Sequence, residues 1–181
     1  MIQGHDVIRF VFVTALWLTP ISTSAHFEME ADPFAYLVNG HSIHAAYLFK
    51  GGHWRIQLGH FSADIPRWLH GNDRFEVDVS GVTFKADYYT SGQGRGCFFG
   101  GDVDRTKARY RLRDSRERAS DIITGFGPRA GYRFQINDNL FVSPWISARY
   151  LFNVDDIELS EQRYDQDRIN IFPTMHIGWR F

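Results

Sequence analysis

Between residues 169 and 181 the chain reads I-N-I-F-P-T-M-H-I-G-W-R-F, and every second residue is apolar. Ile169, Ile171, Pro173, Met175, Ile177, Trp179 and Phe181 form one set. Asn170, Phe172, Thr174, His176, Gly178 and Arg180 form the other, which is mostly small or polar. A period of two predicts a strand with one set on each face. The apolar face is continuous for about the ten residues a tilted strand needs to cross a bilayer. The pattern recurs upstream. Leu140, Val142, Pro144, Ile146, Ala148, Tyr150 and Phe152 back onto Ser143, Trp145, Ser147 and Arg149. Ile122, Thr124, Phe126, Pro128, Ala130, Tyr132 and Phe134 back onto Asp121, Gly125, Gly127, Arg129, Gly131 and Arg133. Asn137-Asp138-Asn139 joins these two runs as a tight hairpin turn.

Residues 90–94 (T-S-G-Q-G) and 50–53 (K-G-G-H) read as further turns. Runs near 39–49, 54–61, 74–89 and 98–113 bring the strands to seven. Single-chain bacterial barrels have even strand numbers, so eight are expected. The eighth is residues 27–38, with Asn39-Gly40 as a hairpin turn, or else that segment is a short periplasmic helix. At Gly81 the apolar positions change parity, from Phe75, Val77 and Val79 to Val82, Phe84, Ala86 and Tyr88. A glycine bulge would produce that change.

The final strand, ending on Phe181 with no polar tail, resembles the C-terminal strand of bacterial outer-membrane β-barrels. That resemblance implies that Met175, Ile177, Trp179 and Phe181 form an assembly signal read by the barrel assembly machinery. At the other end, residues 10–21 are an apolar run of about a dozen, too short to span as a helix. Ser22, Thr23, Ser24 and Ala25 follow as small residues for cleavage, the layout of a secretory signal peptide. Residues 1–25 are therefore expected to be removed, leaving residues 26–181 as one barrel domain.

Aromatic residues make up 16% of the chain, which suits the girdles of a small membrane barrel. The negative mean hydropathy does not argue against one, because only half of each strand faces lipid. A single cysteine, Cys97, excludes an intramolecular disulfide. The net charge of −1 points to no polyanionic partner, nucleic acid included. The scattered histidines have no metal-ligand spacing, His41 and His44 cannot share a strand face, and no cofactor is implied. The expected fold is an all-β, antiparallel, up-and-down transmembrane barrel of about eight strands, monomeric, in a Gram-negative outer membrane. Its partners would be outer-membrane lipids and lipopolysaccharide. The last strand must finish in the periplasm, which puts the Asn137 turn there and loops near 63–73, 114–117 and 153–167 outside.

Three features could carry function. Arg105, Lys107, Arg109, Arg111 and Arg113 place five cations on one strand face, backed by Thr106, Ala108, Tyr110 and Leu112. Like charges in a row repel unless answered, and the acidic residues of 153–167 are the candidates. The ladder is then an internal salt-bridge network, or a surface for lipopolysaccharide phosphates, an anionic solute or a protein partner. Second, Pro144 and Pro173 lie on neighbouring predicted strands at similar height, and neither can donate a ladder hydrogen bond. They mark two bulges or a lateral gap; lipid A palmitoyltransferase, another small barrel, is similar in having prolines beside such a gap. Third, His60-Phe61-Ser62 with Arg55 upstream resembles the Arg…His-x-Ser pattern of lipid A deacylases. This implies a serine nucleophile at Ser62 activated by His60. The motif stands early in the chain, its Arg spacing departs from that family's, and no acid is identifiable.

These readings describe an integral outer-membrane protein with a structural or surface-interaction role and a side-chain-filled lumen. The alternatives are a lipid A-modifying enzyme, a narrow channel for small solutes, and a soluble periplasmic lipocalin-like barrel. In the lipocalin case the inside would be apolar and the outside polar.

Overall fold

The computed structural model describes residues 26–49 and 51–181. The proposed signal peptide, and Lys50 of the expected 50–53 turn, lie outside the described residues. Eight strands close into an antiparallel barrel: β1 (His26–Ala31), β2 (His41–Phe49), β3 (Trp54–Ile65), β4 (Phe75–Tyr89), β5 (Gly96–Leu112), β6 (Arg118–Gln135), β7 (Leu140–Phe152) and β10 (Ile169–Arg180). β10 pairs with β1 and completes the ring. A separate two-residue-linked hairpin, β8 (Ile157–Leu159) and β9 (Gln162–Tyr164), lies within the long β7–β10 connection. Two short helices, α1 (Pro33–Leu37) and α2 (Arg67–His70), complete the described elements.

The eighth strand is shorter than residues 27–38. Asp32 ends it by accepting a hydrogen bond from the Phe34 amide at 2.9 Å, and Pro33 starts α1. This is the usual start of a helix, so the segment is strand first and helix afterwards. The helix sits at the barrel end opposite the termini, not beside them. The chain termini of the barrel and the Asn137 turn share one end, where the Arg180 amide bonds the Asn139 carbonyl at 2.9 Å. In that turn Asn137 Oδ1 accepts from the amides of Asn139 (3.0 Å) and Leu140 (2.8 Å), an Asx arrangement that fixes the reversal.

Inside and outside follow the alternation. The outward set includes Trp54, Ile56 and Leu58 on β3, Phe126, Tyr132 and Phe134 on β6, and Ile171, Ile177 and Trp179 on β10. The inward set is charged: Glu28, Glu30, Arg55, Asp87, Arg129 and Arg133 are all buried. This is the reverse of a lipocalin-like barrel, which would hold its apolar set inside.

Gly81 is not a bulge. β4 keeps one unbroken register with β3 and with β5 through this position. Its odd-numbered residues face inward from Phe75 to Tyr89. What changes at Gly81 is the chemistry of each face. On the terminal side, Thr83, Lys85 and Asp87 point in while Val82 and Phe84 point out. On the loop side, Phe75 and Val77 point in while Glu76 and Asp78 stand on the outward face. Gly81 itself faces Phe61 across the ladder. A Cβ there would lie 2.9 Å from Phe61 Cζ and 2.5 Å from the Arg105 carbonyl oxygen, so the β5 backbone and the Phe61 ring together leave no room for a side chain.

Candidate functional site

The interior is built from carboxylates of β1, β4 and β5 and guanidinium groups of β3, β6, β7 and β10. Glu28 receives Arg55 Nε at 2.9 Å, Arg133 Nη1 at 2.9 Å and Arg180 Nη2 at 2.9 Å. Glu30 receives Arg133 Nη2 at 3.2 Å, Gln57 Nε2 at 2.7 Å and His176 Nδ1 at 2.8 Å. Asp87 bridges Arg55 and Arg129 at 3.4 and 3.2 Å. Aromatic faces take up the remaining cation surface: Arg133 lies 3.8 Å from the Phe141 ring centroid and Arg129 4.3 Å from that of Trp145. Buried charge is tolerable only when paired and hydrogen-bonded; here Arg129 and Arg133 have carboxylate and aromatic partners, and Arg55 has three carboxylates. The large side chains fill the lumen, as is usual for eight strands. Sequence reading missed the acids, although Phe27-Glu28-Met29-Glu30 carries the same two-residue alternation.

At the loop end the inward faces of β4 and β5 turn apolar, and the β8–β9 hairpin lies over them. Phe75, Val77, Tyr110 and Leu112 pack with Val154, Ile157, Leu159 and Tyr164. Tyr110 Oη donates to Gln166 Oε1 at 2.7 Å. The 153–167 loop therefore caps the mouth instead of neutralising the basic ladder. Its Arg163 pairs with Asp165 at 2.6 Å and with Asp156. The Gln166 amide and the Arg163 guanidinium hold the Asp156 carboxyl below the usual carboxylate range.

The ladder stands on the outward face of β5, outside the lumen: Arg105, Lys107, Arg109, Arg111 and Arg113 are all exposed. Two of the five are answered by the neighbouring strand. Arg109 Nε lies 2.6 Å from Asp78 Oδ1, and Arg111 pairs with Glu76. Among the described residues, Arg105, Lys107 and Arg113 have no carboxylate partner. The cross-strand neighbours are Val82 and Thr124 for Arg105, and Ser80 and Ile122 for Lys107. Arg118 and Ser120 on β6 line a hollow together with Lys107 and Arg109.

His60 and Ser62 share the outward face of β3, and Arg55 points to the opposite face, into the lumen. The pair is completed by a residue that the sequence did not single out. His41, directly across from Ser62, places Nδ1 2.9 Å from Ser62 Oγ and Nε2 2.9 Å from His60 Nδ1. Two tautomers satisfy both contacts, and in the one with the proton on His41 Nε2, Ser62 donates to His41 and His41 donates to His60. No carboxylate hydrogen-bonds either imidazole among the described residues. Only the β2–β3 register brings His41 to Ser62, across 21 residues of chain.

The prolines do not act on one ladder. Arg180 donates its amide to Asn139 and Phe181 donates to Phe27, so the odd-numbered amides of β10 turn toward β1. Pro173 therefore faces a side where β1 pairs only with residues 177–180, and it removes no strand hydrogen bond. In β7 the Leu151 amide bonds the Arg168 carbonyl, so Pro144 faces β6. The β6–β7 pairing is interrupted at Pro144 and again at Pro128, with constant register on both sides of each interruption. The β7–β10 pairing runs unbroken past both Pro144 and Pro173. Neither proline is a bulge, and no gap lies between these two strands. At the terminal end Phe181, Trp179 and Ile177 are exposed and Met175 half-buried, with the Phe27 and Phe181 rings 5.8 Å apart.

No protein-family profile and no curated protein matches the chain. Solved structures do. A major outer membrane protein from Thermus thermophilus superposes with a TM-score of 0.50 at 16% identity, covering 87% of this chain and 100% of the other. Neisserial surface protein A follows with a TM-score of 0.49 at 12% identity, over 86% and 92% of the two chains. The chain has the fold of the small eight-stranded transmembrane β-barrels, and at these identities the likeness is one of fold.

Proposed function

We propose that this chain is an integral protein of a bacterial outer membrane with a structural or surface-interaction role and no open pore. The carrying observation is the arrangement of polarity: charge inside and apolar side chains outside on one side of Gly81, inverted on the other. An apolar exterior suits lipid, and the inverted segment, with polar residues outward, suits water. In this reading the termini and the Asn137 turn are periplasmic and the β8–β9 hairpin is external. Residues 1–25 are the cleaved signal peptide, and Met175, Ile177, Trp179 and Phe181 are the segment presented to the assembly machinery. The packed arginine network supports a plugged lumen, and an outward ladder leaves an anion channel without its charged ring. Membrane fractionation with gel migration before and after boiling tests the proposal. A heat-dependent shift in the outer-membrane fraction is expected, and soluble protein without a shift would overturn it.

A second reading, hydrolysis of a lipid ester, is favoured by the hydrogen-bonded chain Ser62–His41–His60 on the outward face. The Ser62 hydroxyl would be the nucleophile and His41 its base. Lipid A extracted from cells carrying the wild type and Ser62→Ala or His41→Ala separates the readings: identical lipid rejects the enzyme.

A further inference from the structure

We infer that the outward face of β5 holds the phosphate groups of an anionic glycolipid in the surrounding leaflet, with Arg105 and Lys107 as its principal contacts. The inference rests on the membrane reading given above and deepens it. The ladder cations differ in their pairing. Arg109 and Arg111, further from the apolar belt, are matched by Asp78 and Glu76. Arg105 and Lys107 are next to the belt and have no carboxylate partner among the described residues. One step toward the terminal end, the cross-strand row is Leu58, Phe84, Val103 and Phe126, all exposed and apolar. Arg113, the third unanswered ladder cation, stands past the end of β5, whereas Arg105 and Lys107 emerge where the apolar exterior stops, which is where headgroup phosphates lie. Strand geometry separates these two by about 7 Å along one face, so each meets its own phosphate oxygen. Lys107 also lines the hollow with Ser120, Arg118 and the Arg109–Asp78 pair, so the hollow adds a hydroxyl donor and a third cation, while its one carboxylate is already neutralised by Arg109. A soluble anion would find the same charges, but it would bring nothing to cover Val82, Val103 and Ile122 beside them. An acylated phosphate covers both.

The full chain in detergent micelles is titrated with bis-phosphorylated lipid A and with the same lipid dephosphorylated, with bound lipid read by native mass spectrometry. Arg105→Ser/Lys107→Ser should bind the phosphorylated lipid about thirtyfold more weakly, as loss of two membrane-facing cations predicts. Arg105→Lys/Lys107→Arg should bind it as the wild type does, and so should Arg95→Ser at the opposite end. The dephosphorylated lipid should bind the wild type as weakly as the phosphorylated lipid binds the serine variant. Equal binding by the serine variant, or displacement of the lipid by excess inorganic phosphate, overturns the inference. Flotation of each chain with vesicles is scored separately. A wild type that does not float overturns the membrane reading itself, whereas floating variants that retain the lipid overturn only the phosphate site.

Discussion

Arg133 and Glu28 are 105 residues apart in the chain and 2.9 Å apart inside the barrel. Glu28 also receives Arg55 and Arg180, so its carboxylate is the common counter-ion of three guanidinium groups. Glu28→Ala should destabilise the barrel by about 3–5 kcal/mol, the cost of leaving buried charge unmatched. Urea unfolding of vesicle-reconstituted protein measures this, and a loss below about 1 kcal/mol would show that water enters and screens the lumen.

Gly81 faces inward and has no room for a side chain. With the Arg105 carbonyl 2.5 Å and Phe61 Cζ 2.9 Å from where its Cβ would stand, Gly81→Ala should cost about 1–3 kcal/mol, as overpacking does. At Gly101 a Cβ would meet only the Gly127 carbonyl, at 3.5 Å, so Gly101→Ala should be close to neutral. The same unfolding assay compares them, and equal effects would refute the close-contact explanation.

The two prolines should respond differently to replacement. Pro144→Ala gives the β6–β7 ladder a donor worth about 1 kcal/mol, partly offset by the freedom returned to the unfolded chain. Pro173→Ala gains no strand partner and suffers only that offset. Pro144→Ala should therefore be the more stable of the two by about 1 kcal/mol, and the reverse order would misplace the interruption.

Acid should loosen the loop before the barrel. The Asp156 carboxyl is held down by the Gln166 amide and Arg163, so its folded value lies below the unfolded one of about 4. Its contribution is then complete above that unfolded value and is lost as pH falls through the lower folded value. Hydrogen exchange across 153–168 should be insensitive to Asp156 ionisation between pH 5 and about 8 and rise only under stronger acid. Asp156→Asn should raise it at neutral pH.

Much of the architecture was legible because alternation is local. The bounds of β7 coincide with the predicted run from Leu140 to Phe152, and the faces of β6, β7 and β10 fall as expected. What was hidden depends on which residues stand opposite one another across a ladder. Nothing near Arg109 reveals that Asp78 answers it, and nothing near Ser62 points to His41. At Gly81 the apolar pattern was read as a change of direction when it is a change of surroundings. The odd positions keep facing inward, and the interior itself passes from charged to apolar beneath the β8–β9 hairpin.

The supply of Glu28 and Glu30 by β1 has a bearing on how the ring is completed. A sheet of β2 to β10 without β1 would hold Arg55, Arg129 and Arg133 with Asp87 as the one acid among the ion-pair partners described for these three. Docking the first strand therefore does two jobs at once: it closes the last open edge and discharges the interior. A cylinder assembled without it, or with β1 slipped by one residue so that Phe27 and Met29 turned inward, would be left electrically unfinished. The correct seam is thus marked by charge as well as by backbone pairing.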